Sequence, residues 1–314
     1  MRPERGRPGG RMSVVREQTP VVVAARRTPV GTAGHGLARV DLVNLLVPVV
    51  RAVLDDLPDG APPVGDVVVG NCMGPGGNPA RVAALAAGLG LDVPGVTVDR
   101  QCGSGQEAVH VAANAVATGT ADLVLAGGAE SASTAPWRLA RPASATEAPV
   151  PYTRAPFAPS QIGDPDMGPA AETVARRCGV SRQRQDAYAE RSHRLALATA
   201  EAGGFDAELV PVGGLSGDER PRRISAATLA RLPGAFEAGG TVTAGNSCGV
   251  SDGAAVVAVV PEVVRDRLGL PGLALRGWVA VGVDPNTPGL GPVPAVERLL
   301  ARTGVRLNDV DVLE

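Results

Sequence analysis

Gly95-Val96-Thr97-Val98-Asp99-Arg100-Gln101-Cys102-Gly103-Ser104-Gly105-Gln106-Glu107-Ala108 is the stretch that decides the fold. The apolar run from Gly95 to Val98 reads as a strand. Ala108, Val109, Val111, Ala112, Ala115 and Val116 follow at helical spacing. The glycine-rich turn between them carries one thiol, Cys102. A helix N-terminus offers unbonded N–H groups and a positive dipole end to a charged sulfur. The glycines leave room for a substrate to approach the backbone. Cys102 is therefore the candidate nucleophile. Residues 103–108 also fit G-x-G-x-x-A, with Asp122 further on. A nicotinamide-dependent oxidoreductase is thus an alternative, although Asp122 opens a strand where that fingerprint needs an acidic residue at a strand end.

Working outward, the same grammar repeats. Val21 to Ala25, Val67 to Gly70 and Leu123 to Gly128 read as buried strands; Val40 to Leu54 and Pro79 to Leu89 read as helices. Apolar strands without alternation, separated by helices, predict a parallel or mixed sheet covered on both faces. From Ser131 to Ser247 Pro and Arg become denser, and Ala171 to Gly203 reads as one long helix. The strand pattern returns at Gly253 to Val260. A second α/β pattern then opens, with strands expected at Leu273–Val283 and Asp309–Leu313 around a helix at Pro292–Thr303.

Composition narrows the function. The 314 residues allow about two domains. With 44% hydrophobic but 2% aromatic residues, the core must be aliphatic. A net charge of −2 gives no signal for nucleic acid or an anionic membrane surface. All 30 basic residues are Arg, a codon-bias signature more than a phosphate-binding one. No run approaches the ~18 apolar residues of a membrane span. Arg2, Arg5, Arg7, Arg11 and Arg16 without an apolar core do not make a secretory signal. Residues 1–20 are expected to be a disordered extension, with Met12 as a candidate start, and the location to be cytoplasmic. Cys72, Cys102, Cys178 and Cys248 form no C-x-x-C pair and have no His at ligand spacing, so no metal site is expected.

Taken in order, the motifs resemble the thiolase family. Ala24-Ala25-Arg26-Arg27-Thr28-Pro29-Val30-Gly31 is similar to its A-R-T-P-x-G opening, with one extra Arg. Asn78-Pro79-Ala80-Arg81 resembles N-P-A-R, Cys102-Gly103-Ser104-Gly105 the nucleophile motif, and Ala126 to Ser131 the A-G-G-x-E-S turn. Met167-Gly168 with Ala171-Glu172, Thr241 to Asn246, Ser251 to Ala254, Gly282 to Pro285 and Gly291 to Pro294 extend the likeness from about Val21 to Glu314.

The resemblance implies an α/β, thiolase-like fold: mixed five-stranded sheets covered by helices in αβαβα layers, the second half incomplete. It implies an N-terminal domain at 21–131 plus 253–270, a loop and CoA-binding insertion at 132–252, and the start of a C-terminal domain at 271–314. It implies an acyl-CoA C-acyltransferase of fatty acid metabolism that forms or cleaves 3-ketoacyl-CoA through a thioester on Cys102. No cofactor is expected, coenzyme A thioesters being the substrates. Substrate contacts are implied for Met167, Arg222, Thr228, Ala244 and Cys248. Arg222 and Thr228 align with positions that meet the CoA nucleotide. Cys248 stands where the family usually has Ser, and Asp166 where biosynthetic members often carry His. Partners are acyl-CoA, CoA and further copies in a homodimer or homotetramer. Thiolases add N-E-A-F, a G-H-P His and a C-x-G Cys, and none of these occurs here; His35, His110 and His193 lie in other contexts. The chain is therefore expected to be truncated at its C-terminus and poorly soluble alone, with the remaining segment lost or supplied as a separate polypeptide. The alternative is a non-catalytic thiolase-like protein that binds acyl-CoA or a partner subunit.

Overall fold

A computed structural model describes residues 18–314. In chain order the elements are β1 (Pro20–Arg27), β2 (Gly31–Thr32), α1 (Leu42–Asp55), β3 (Asp66–Gly70), α2 (Pro79–Ala87), β4 (Gly95–Val98), α3 (Ser104–Ala117) and β5 (Val124–Ser131). An excursion follows, with β6 (Arg138–Ala140), β7 (Val150–Tyr152), α4 (Met167–Cys178), α5 (Arg182–Glu201) and α6 (Ala226–Ala230). The chain then returns through β8 (Ser251–Pro261), α7 (Glu262–Leu268), β9 (Leu273–Ala274) and α8 (Pro292–Thr303). The disordered extension expected over residues 1–20 falls, up to residue 17, outside the described residues; Pro20 already pairs within the sheet.

One mixed sheet organises the molecule, in the order β4-β3-β5-β8-β1-β9, with β2 on β8. β4, β3 and β5 run parallel, while β8 is antiparallel to both β5 and β1. The unbroken apolar strands follow from burial on both sides. Val67, Val69 and Leu125 face α1 and α2, joining Leu45, Val49 and Ala83. Val68, Val124 and Ala126 face α3, joining Ala108, Ala112 and Val116. Sequence places the helix ends: Asp41 caps α1 by accepting from the Asn44 amide at 2.9 Å, and Asn78 caps α2 with Pro79 behind it. The expected five-stranded sheet is enlarged by the two-residue strands β2 and β9.

Four local expectations are corrected. Residues 171–203 form two helices, because Gly179 takes a left-handed turn (φ +61°) and Ser181 caps α5. The A-G-G-A-E-S segment is not a turn; it lies inside β5 and pairs along its length with β8. Of Leu273–Val283 only Leu273–Ala274 is strand. These two residues pair with Val22 and Val21, and Leu275 N donates to Pro20 O, so the chain then runs past the start of β1 and has no ladder left. Residues 309–313 are not a strand either and pair with no strand among the described residues; Val312 and Leu313 are exposed. No described helix is long and apolar enough to cross a membrane.

The excursion is tied back by charge and by one buried carboxyl. Arg27 pairs with Glu208 at 2.7 Å and Asp218 at 2.8 Å, and Asp218 also accepts from the Val30 amide. Fully buried Glu172 accepts from the Val242 amide at 2.7 Å and the Thr241 hydroxyl at 2.8 Å, fixing the turn at residues 241–246. Burial alone would raise its carboxyl pKa, but the hydrogen bonds from Val242 and Thr241, with the charge of Arg176, more than offset it and hold the group below the usual value. The stability it contributes is therefore present above the ordinary carboxyl range and lost as pH falls through its folded value.

Two outcomes are expected. Glu172→Gln should cost about 1–3 kcal/mol at neutral pH and flatten the acid limb of the stability curve, as read by urea unfolding at several pH values. A Cβ at Gly70 would fall 2.3 Å from the Ser104 carbonyl carbon and 2.4 Å from Gly105 N, whereas one at Gly217 meets nothing. Gly70→Ala should therefore destabilise by about 1–3 kcal/mol or more, and Gly217→Ala by less than about 0.5 kcal/mol.

Candidate active site

Cys102 is placed by a close approach of glycines. Gly70 ends β3 directly under the start of α3, as the contacts of its absent Cβ show. Gly128 in β5 meets Gly105 from the other side, a Cβ there falling 3.1 Å from Gly105 Cα. Helix and sheet can touch here only without side chains. The turn into the helix is held by its own polar groups. Asp99 Oδ1 accepts from Gln101 N at 2.7 Å, Ser104 Oγ donates to Gln101 O at 2.6 Å, and Arg100 N donates to Ser104 Oγ at 2.8 Å. Gln101 takes φ +51°, the left-handed region a non-glycine residue rarely adopts. The result is an exposed Cys102 two residues before α3, beside a first turn whose backbone N–H groups lack helical acceptors.

Cys102 opens on a cavity of about 530 Å³, whose walls include Asn71, Cys72, Ser104, Glu130 and Asp252. Cys72 and Glu130 were not singled out as site residues by the sequence reading; only their position after a strand end and in the A-G-G-A-E-S motif could have marked them. The Cys72 thiol donates to Glu130 Oε2 at 3.1 Å. Burial, followed by that hydrogen bond and the neighbouring carboxyl charge, pushes the thiol up to about 12. Asp252 is fully buried and accepts from Ser133 N at 3.0 Å and Ser133 Oγ at 2.5 Å. No histidine is among the described residues lining this cavity. No cluster of potential metal ligands occurs among the described residues.

The other predicted positions gather elsewhere in the excursion. Arg222 Nη2 donates to Ala244 O at 2.9 Å and lines a separate cavity of about 290 Å³ with Arg194 and Arg223. His193 lies near; burial and the charges of Arg222 and Arg220 hold it below its ordinary value. Thr228 sits in α6, its amide and hydroxyl bonded to Ser225. Met167 opens α4 and is exposed. Cys248 is exposed three residues before Ser251, which does line the Cys102 cavity. Met167, Arg222, Thr228, Ala244 and Cys248 are therefore not on the wall around Cys102. Asp122 precedes the N-terminal end of β5, whereas the glycine turn lies at the C-terminal ends of the parallel strands, so the dinucleotide geometry does not form.

Three comparisons bear on this arrangement. The family model described as "Thiolase, N-terminal domain" matches residues 20–263. A Staphylococcus aureus (strain MRSA252) protein named "Putative acetyl-CoA C-acetyltransferase VraB" is 41% identical over 302 residues, covering 94% of this chain and 79% of that protein. A protein of the same name from Staphylococcus epidermidis is 41% identical over 303 residues, with the same coverage. Among solved structures, the Bacillus anthracis acetyl-CoA acetyltransferase superposes with a TM-score of 0.84 at 35% identity, covering 94% of this chain and 78% of that one. Motif order, the glycine-bedded cysteine turn and these matches agree, and the chain belongs to the thiolase family.

Proposed function

We propose that this chain is an acyl-CoA C-acyltransferase that takes an acyl group onto Cys102. The observation that carries the reading is the exposed thiol at the start of α3, facing a cavity of about 530 Å³. In the forward direction the Cys102 sulfur attacks the thioester carbonyl of an acyl-CoA. The carbon–sulfur bond to CoA breaks, and CoA leaves as its thiol with the proton given up by Cys102. The α-carbon of a second acyl-CoA then gives up a proton and attacks the acyl-cysteine carbonyl; the carbon–sulfur bond to Cys102 breaks and Cys102 returns to its thiol with a proton, or the same steps run backward to cleave a 3-ketoacyl-CoA. Coenzyme A thioesters are the substrates, and the chemistry calls for no resident cofactor. That the relatives above are named for acetyl-CoA acetyl transfer supports an acyl-CoA substrate. A role in cytoplasmic fatty acid metabolism follows from the same reading.

In this reading residues 21–131 and 253–270 form the nucleophile-bearing domain. Residues 132–252 carry the CoA contacts, and 271–314 begin a second domain. Arg222, held against Ala244, would clamp the CoA phosphates, with Thr228 beside it. Met167 and Cys248 would border the acyl and pantetheine path. β4 has a neighbour on one side only, so a second copy could add to the sheet there, in keeping with a homo-oligomer. A second reading is favoured by one observation: no histidine is among the described residues lining the Cys102 cavity, so the thiol has no imidazole base there. In that case the chain binds acyl-CoA, or a partner subunit that completes the site, without turning over alone.

Incubation with acetyl-CoA followed by intact-mass and peptide analysis should place one acetyl group on Cys102, and Cys102→Ala should abolish it. An unmodified Cys102 at saturating acetyl-CoA would overturn the acyltransferase reading and leave the binding reading. Arg222→Ala should weaken CoA binding by about tenfold or more in calorimetry; unchanged affinity would remove Arg222 from the site.

A further inference from the structure

The cavity at Cys102 holds a second thiol. Cys72 lies two residues beyond β3 and lines the same wall. Several hydrogen bonds hold the residues around it. One oxygen or the other of Glu130 accepts from Asn71 Nδ2 at 2.7 Å, Cys72 N at 3.1 Å, Cys72 Sγ at 3.1 Å and Met73 N at 3.3 Å. Asn71 Nδ2 also reaches Ala129 O at 3.1 Å. From the far side Arg138 Nη2 donates to Cys72 O at 2.9 Å. Three consecutive residues thus converge on one carboxyl group carried by β5, the strand next to β3.

We propose that Glu130 is a positioning residue of the nucleophile cavity: it clamps residues 71–73 as the wall beside Cys102 and keeps the Cys72 thiol protonated as a hydrogen-bond donor. The inference rests on the reading of Cys102 as the acyl acceptor. Its chemical sense lies in what a free thiolate at Cys72 would do. The acyl group on Cys102 could then pass to the neighbouring sulfur, the Cys102 carbon–sulfur bond breaking as the Cys72 bond forms. That transfer is nearly thermoneutral and needs no other reactant, so it would divert the acyl group from its carbon acceptor. The thiolate is the nucleophilic form. Burial, the hydrogen bond to Glu130 and the charges of Glu130, Asp99 and Cys102 together hold the Cys72 thiol near 12, well above the ordinary 9.0. Cys72 is thereby silent while Cys102, exposed on the same cavity, reacts.

The test is timed alkylation of the full chain with iodoacetamide from pH 7 to 10, with Cys72 and Cys102 quantified separately by peptide mass spectrometry. In the wild type Cys72 should lag Cys102 by about a hundredfold or more at pH 8. In Glu130→Gln, which keeps the shape but not the charge, the Cys72 profile should move to lower pH and its rate at pH 8 rise about tenfold or more. After acetyl-CoA treatment the same variant should carry acetyl on Cys72 as well. Equal alkylation of both thiols in the wild type would overturn the proposal, and so would an unshifted Cys72 profile in a Glu130→Gln chain with native circular dichroism. If Glu130→Gln fails to fold, the wild-type lag, which needs no substitution, decides. Alkylation uses no CoA chemistry: a missing acetyl on Cys102 would sink the acyl-transfer reading while leaving the Cys72 lag intact.

Discussion

The start of α3 rests directly on β3 and β5, and the position of the Cys102 thiol depends on that contact. Gly70, Gly105 and Gly128 are its three sides, and a methyl group at Gly70 would collide with helix backbone. Because helix and strand touch without side chains, α3 starts at the C-terminal ends of β3 and β5, and the Cys102 thiol just before it reaches solvent. The left-handed Gln101 follows from the same constraint. The chain must turn from β4 into a helix already pinned below, and Asp99 and Ser104 hold the strained turn in place. The bonds that hold the neighbouring wall at residues 71–73 come from Glu130 on β5, so the cavity and its exposed thiol are framed by the same two strands.

Around this contact the protein divides its polar groups by task. The sheet's interior is aliphatic, as two clusters of Val, Leu and Ala on its two faces. Buried and half-buried carboxyls sit where irregular chain must be fixed: Glu172 at the turn of residues 241–246, half-buried Asp218 at Val30, and Asp252 at Ser133. Each accepts a backbone amide that no ladder could satisfy. The excursion between β5 and β8 can therefore be long and polar while its irregular segments stay fixed.

Much of this was legible in the chain. Long strands stood out because both faces of the sheet are buried and every position is apolar, as at Val67 to Val69 and Val256 to Val260. Cys102 stood out because its thiol lies between an apolar strand and a glycine-rich helix start within a series of ordered motifs, and those motifs placed the chain among the thiolases. What sequence could not give were matters of partnership. Leu273–Val283 and Asp309–Leu313 have strand composition, yet a strand exists only where a neighbour's backbone is free, and β1 starts at Pro20. Gly179 broke a helical pattern whose apolar spacing continues across it. Glu130 looked like part of a turn motif, because nothing in A-G-G-A-E-S tells that its carboxyl gathers the residues after another strand.

The central claim is that the glycine-bedded thiol of Cys102 accepts acyl groups from coenzyme A thioesters. Isotope exchange between labelled CoA and unlabelled acetyl-CoA isolates that half-reaction, since it needs only formation and reversal of the acyl-cysteine. The account predicts label appearing in acetyl-CoA with the wild-type chain and none with Cys102→Ser. Exchange that persists undiminished in Cys102→Ser would contradict it.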